Sequence, residues 1–302
     1  MARASYRVAE DGFPARDADT WTEEKLMILE CYLHGFAHAC RKAGGWYALD
    51  LFAGTGLNYS LTRSAEILGS PLIALEAGTP QATRLIAAET DERAREALIS
   101  RCGPYGERSE ICPDDANTAV ERILKMVPKQ APAFAFLDPE GSELDWRTVA
   151  AIAAHKQDRP NKVEQLILFP TDMGFVRLAP DYPDKVTRIF GHDQWLSIFE
   201  ARRAGKISAD EARGQYVRMY ADGLRGLGYG TVLDRQIATQ SGQPMYFLIY
   251  ATDHDAGQRI MDHCFDAVKL RVVEELGQAT LFPAASTPRR RRLDADKSSE
   301  PT

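Results

Sequence analysis

The spacing of apolar positions changes in a regular way along the chain. From Thr22 to Ala43, Leu26, Leu29, Leu33, Phe36 and Ala37 recur at helical spacing, and Gly44-Gly45 closes the run. Trp46-Tyr47-Ala48-Leu49-Asp50-Leu51-Phe52 follows, a compact apolar stretch bounded by glycines that predicts a buried strand. Beyond it the pattern predicts helices over 70–77, 91–102, 116–127 and 145–155. Strands over 84–89, 110–112, 133–137 and 165–169 alternate with them. Strands and helices in alternation predict a parallel, doubly wound sheet, and the nearly continuous apolar strands predict that both its faces are covered.

The second half departs from that rhythm. Residues 181–227 read as mostly helical, more than one crossover needs, with Trp195, Tyr216 and Tyr220 among them; this predicts a helical insertion. Strands over 231–239 and 245–252, joined by Gln240-Ser241-Gly242-Gln243-Pro244, predict an antiparallel hairpin, and a helix over 255–276 closes the pattern. The expected fold is α/β: a doubly wound, mostly parallel seven-stranded sheet of Rossmann-like methyltransferase type, with a C-terminal antiparallel hairpin and the insertion. It occupies 20–285 as one domain, between a flexible N-terminus, 1–19, and a disordered basic and polar tail, 286–302.

Composition narrows the class. Hydrophobic residues are 44% and charged residues 26%, as in a soluble globular protein. No apolar run is long enough for a membrane span, and Met1 to Asp19 lacks the apolar core of a signal peptide, so a cytoplasmic location is expected. A net charge of −6 excludes a chain-wide basic coat for nucleic acid. The arginine row Arg289 to Arg292 leaves a weak pointer to one. The five cysteines form no CxxC pair and read as free thiols in a reducing compartment. His34 and His38 share a helix face without a third ligand, so no metal site is expected.

Four motifs carry candidate chemistry. Asp50-Leu51-Phe52-Ala53-Gly54-Thr55-Gly56 joins a strand to a glycine-rich turn, which lets a ligand approach the backbone closely. Tyr59 stands where a third glycine would complete a dinucleotide fingerprint, so a nicotinamide cofactor is disfavoured. The turn suits the methionine part of S-adenosylmethionine, with Asp50 organising turn amides or the amino group. Ala87-Ala88-Glu89-Thr90-Asp91 puts an acid at the next strand tip, where Glu89 can accept from ribose hydroxyls and Asp91 can cap a helix. In Pro113-Asp114-Asp115-Ala116 either aspartate could accept from an adenine amino group or cap the next helix. Finally, Phe136-Leu137-Asp138-Pro139-Glu140-Gly141 sets Asp138 and Glu140 where a nucleophile would be oriented or deprotonated. This last motif resembles the Asp-Pro-Pro-aromatic motif of amino-group methyltransferases, but Glu140 and Gly141 replace its second proline and its aromatic. The segment 57–68 reads as an inserted loop at the ligand edge of the sheet. Tyr59, Asp172 and Arg177 are candidate acceptor-pocket residues.

The order and spacing of several segments resemble the three-Cys-motif partner family. They are Thr22-Glu23-Glu24-Lys25-Leu26, the strand and turn at Ala48 to Gly54, Gly69-Ser70-Pro71-Leu72-Ile73-Ala74-Leu75, Ala135-Phe136-Leu137-Asp138-Pro139, Gly228-Tyr229 and Pro244 to Ala251. The likeness spans roughly residues 20–275. It implies a class I S-adenosylmethionine-dependent methyltransferase acting beside a partner that itself carries the three-cysteine motif. Two functions stay open: a methyltransferase of unknown acceptor (nucleic acid, small molecule or partner-bound substrate), and a non-catalytic Rossmann-like scaffold for the partner.

Overall fold

The computed structural model describes residues 5–170, 175, 178–239 and 241–279, with side chains up to Arg271. Its centre is a seven-stranded sheet. In chain order its strands are β3 (Trp46–Asp50), β6 (Ala82–Ala88), β7 (Ser109–Cys112), β8 (Ala133–Leu137), β9 (Glu164–Pro170), β10 (Thr231–Ala238) and β11 (Pro244–Thr252). They lie side by side as β10-β11-β9-β8-β3-β6-β7. The first five are mutually parallel. β11 enters antiparallel beside β9, and β10 pairs antiparallel with β11. This is the Rossmann-like methyltransferase sheet expected from the sequence, its chain order reversing at β3.

The pleat explains the strand composition. All five residues of β8 are buried. Ala133, Ala135 and Leu137 enter one apolar cluster while Phe134 and Phe136 enter the other, the two-residue period of a strand covered on both faces. The first face carries α4 (Ala116–Leu124), α5 (Trp146–Ala154) and three helices of the insertion, α6 (Pro183–Phe190), α7 (Trp195–Arg203) and α8 (Ala209–Gly226). The second carries α1 (Thr20–Ala39), α2 (Ser70–Glu76), α3 (Glu92–Cys102) and α9 (Asp255–Ala279). α4 shows why such segments coil: Ala116, Ala119, Val120, Ile123 and Leu124 form a single buried stripe, and the Asp115 carboxylate accepts from the amides of Asn117 and Thr118 at its start.

Three expectations need correction. Residues 5–19, expected to be loose, hold β1 (Tyr6–Val8) and β2 (Pro14–Ala18). The segment 57–68, expected to be a loop, is a hairpin of β4 (Leu57–Ser60) and β5 (Ala65–Leu68). β2 pairs parallel with β4, so the four strands make a second sheet, β1-β2-β4-β5. These strands are short and carry few large apolar side chains; long-range backbone pairing holds them, which local periodicity does not reveal. The cysteines also differ from expectation. Cys31 on α1 is bonded to Cys264 on α9, and Cys40, Cys102 and Cys112 are buried free thiols. The tail at 286–302 lies outside the described residues. No helix among the described residues is long and apolar enough to cross a membrane.

Candidate active site

A cleft of about 790 Å³ opens at the C-terminal ends of β3, β6, β7 and β8, where the doubly wound sheet changes direction. Its floor is the turn after β3. Gly54 (φ 60°) and Gly56 (φ 77°) both adopt left-handed backbone, which an L side chain resists. A Cβ on Gly54 would meet nothing within 4 Å, so that backbone faces open space. Gly56 is closed in instead: a Cβ there would come within 2.9 Å of Leu98, and Gly69 crosses it closely enough to donate its amide to the Gly56 carbonyl at 2.8 Å. Phe52, Ala53, Thr55 and Gly56 line the cleft together with Gly54.

Asp50 ends β3 beneath this turn. It is 2% exposed and is not part of the cleft lining. Neither of its oxygens has a hydrogen-bond partner of good geometry. Burial pushes its carboxyl up to about 7; the Ser70 hydroxyl and the Phe52 amide oppose the rise, and the charges of Asp138 and Glu89 add to it.

Glu89, just past β6, faces the cleft. One oxygen accepts from the Gly54 amide at 2.8 Å and the other from the Asp91 amide at 2.8 Å. Its carboxyl is raised by burial, against the two amides. A carboxylate oxygen accepts two bonds, so both retain capacity for hydroxyl donors. Asp91 does cap α3, accepting from the Ala94 amide at 2.8 Å. Of the aspartates after β7, Asp115 is the cap of α4 and Asp114 is paired with Arg122; both line the cleft with Thr90 and Ala116.

Asp138, immediately after β8, also lines the cleft. The Lys25 ammonium of α1 reaches its Oδ2 at 2.5 Å, with side chains 9% and 18% exposed. Lys25 escaped the sequence reading, though a signal existed: it stands four residues before Leu29 on the buried stripe of α1, an odd place for an unpaired cation. Glu140 lines the cleft two residues on and is bound by the Arg16 guanidinium of β2 at 2.9 Å.

The second sheet forms the opposing wall, through Tyr6, Pro14, Arg16 and Asn58. Arg101 of α3 ties that wall to the floor. Its guanidinium grips Asp11 by two bonds, at 2.7 and 3.0 Å, and donates to the carbonyls of Pro14 and Thr55. Arg101 holds the Asp11 carboxyl below its ordinary range. None of these wall residues stood out in the sequence, because the wall exists only once β2 meets β4.

Tyr59 is not a cleft residue: its ring stacks under the Arg7 guanidinium, 3.7 Å from the centroid, and its neighbour Asn58 faces the cleft instead. Alternation along β4 sends the two to opposite faces. Asp172 and Arg177 lie outside the described residues.

No family model matches the chain, and no curated protein matches it. Among solved structures it is similar to a protein from Legionella pneumophila, at 12% identity and TM-score 0.48 over 76% of this chain and 85% of that one. It is also similar to M. jannaschii TYW2 in complex with AdoMet, at 10% identity and TM-score 0.42 over 83% and 87%. A third similar structure is an O-methyltransferase from Bacillus cereus in complex with SAH, at 14% identity and TM-score 0.40 over 76% and 80%. At such identities and scores, the fold rests on the strand order itself.

Proposed function

We propose that this chain is a methyltransferase that binds S-adenosylmethionine in the cleft above the β3 turn. Glu89 carries the reading. A single carboxylate at the tip of β6 braces the glycine turn, faces the cleft and keeps acceptor capacity on both oxygens, which suits the two hydroxyls of a ribose. The open backbone at Gly54 accommodates a ligand against the turn, and Asp114, Asp115 and Ala116 border the end that would take the adenine. Asp50, buried beneath the turn and within reach of the Ser70 hydroxyl and the Phe52 amide, would organise the turn rather than touch the ligand.

Bound there, the cofactor supplies an electrophilic methyl group on a sulfonium. The chain's own residues do the rest. Lys25 fixes one oxygen of Asp138, leaving the other to accept a hydrogen bond or a proton from an incoming nucleophile. Holding that nucleophile in line with the methyl group supplies much of the rate. The cleft is rich in acids, and its cations among the described residues are Arg16 and Arg93. This favours an amine or hydroxyl on a small molecule or peptide over a phosphate-bearing nucleic acid. The partner protein implied by the family resemblance enters the proposal as a supplier of that acceptor.

Methyl-labelled S-adenosylmethionine, offered with RNA, DNA, a basic peptide pool and a metabolite extract in separate reactions, tests the proposal. Label in one acceptor class, lost in Asp138→Asn, is the expected result. Cofactor binding with no transfer to any of the four contradicts the enzyme reading and favours the cofactor-binding scaffold.

A further inference from the structure

The cofactor reading leaves one charge without a partner. S-adenosylmethionine carries a carboxylate on its amino-acid part, and it would enter a cleft whose charged lining residues are mostly acids. A carboxylate taken out of water needs a cation or several donors. Arg93 lies two residues after Asp91 at the start of α3, at the end of the cleft assigned to the ribose. Lys25, the remaining nearby ammonium, is mostly buried and engaged by Asp138. Arg16 projects from the opposing wall at the other end, and there it reaches Glu140 beyond β8.

The Arg16–Glu140 pair is built to exchange. Its side chains are 43% and 54% exposed, and an ion pair so open to water contributes little. A guanidinium can trade one carboxylate for another, since its planar fork of donors suits either. The backbone behind it is held firmly: β2 pairs with both β1 and β4, and Arg101 anchors Asp11 and the Pro14 carbonyl. The side chain can therefore swing while its base stays fixed.

We infer that Arg16 is the residue that binds the amino-acid carboxylate of the cofactor, and that it gives up Glu140 to do so. The inference rests on the cofactor reading above. It follows that Glu140 becomes free to face an acceptor only when a carboxylate-bearing ligand is in the cleft, which orders cofactor before acceptor.

The test is calorimetric titration with S-adenosylmethionine and with its decarboxylated analogue, which lacks only the carboxylate. The quantity read is the ratio of the two affinities. Arg16→Met should lower that ratio about fivefold, the worth of a half-exposed ion pair. Glu140→Gln removes the competing carboxylate and should move the ratio the opposite way. Arg93→Met should leave it unchanged. Both Arg16 and Glu140 are substantially exposed, so neither variant threatens the core. An unchanged ratio in Arg16→Met, or a lowered ratio in Arg93→Met, overturns the assignment while leaving the cofactor reading intact. Wild-type protein that binds neither compound overturns both.

Discussion

Replacing Asp50 with asparagine should make the protein more heat-stable in alkaline than in acid solution, relative to the wild type. In the folded chain the Asp50 carboxyl is raised from 3.8 to about 7, chiefly because burial penalises its charge. The folded state therefore holds this proton more tightly than the unfolded state. The stability it contributes is complete below about pH 4 and is lost as pH rises through about 7. At about 1.4 kcal/mol for each tenfold change in proton affinity, the full difference is about 4 kcal/mol, with about 3 kcal/mol falling between pH 5 and pH 8. Local relaxation and water entry reduce that to about 1–2 kcal/mol. Asparagine has the same shape and does not titrate. Its advantage over the wild type should thus grow by about 2–4 °C in melting temperature from pH 5 to pH 8. Scanning calorimetry on both proteins at the two pH values reads this directly, and other titrating groups cancel in the comparison. An advantage that is flat with pH, or that shrinks toward pH 8, would refute the account of Asp50 as a carboxyl forced toward neutrality.

Other outcomes follow from the same geometry. Arg101→Met should speed hydrogen exchange of the amides in 5–18 by tenfold or more, because the bonds that tie the second sheet to the β3 turn are lost together; unchanged exchange would mean that strand pairing alone holds the wall. Lys25→Met strands Asp138 as a partly buried, uncompensated charge and should cost about 3 kcal/mol of stability, read by urea unfolding. Replacing Asp138 as well, by asparagine, should recover part of that cost. Denatured without reductant, the protein should expose three titratable thiols, Cys40, Cys102 and Cys112, and five after reduction. Breaking the Cys31–Cys264 bond, which closes most of the chain into one loop, should cost about 3–5 kcal/mol.

How far the sequence alone reached depends on the range of the forces involved. Strands such as Ala133–Leu137 and helices such as Ala116–Leu124 announce themselves, because burying an apolar face is a local matter of period. The chemistry at their ends was legible for the same reason. Asp50, Glu89 and Asp138 each follow a strand core, and a strand of a parallel sheet presents its end to the ligand edge. The choice between Asp114 and Asp115 was not legible, since either spacing allows a cap and only backbone geometry decides. What stayed hidden depends on contacts across long sequence separations. β2 pairs with β4 some forty residues away, and that pairing brings Arg16 to the cleft and, through β1, Tyr6. Residues 57–60 form a strand rather than a loop, so Asn58 and Tyr59 take opposite faces and Asn58 is the one that lines the cleft. Cys31 and Cys264 meet because α1 and α9 cover the same face of the sheet, which a count of cysteines does not disclose.

The central claim is a cofactor cleft organised by Glu89, and direct titration tests it first. Isothermal calorimetry of the purified protein with S-adenosylmethionine and S-adenosylhomocysteine should give binding of both, with NAD as the silent control. Glu89→Ala should weaken both about fiftyfold or more, because the ribose contacts and the brace on Gly54 are lost together. A folded wild-type protein that binds neither compound, or a Glu89→Ala variant that binds both as well as the wild type, would contradict the account.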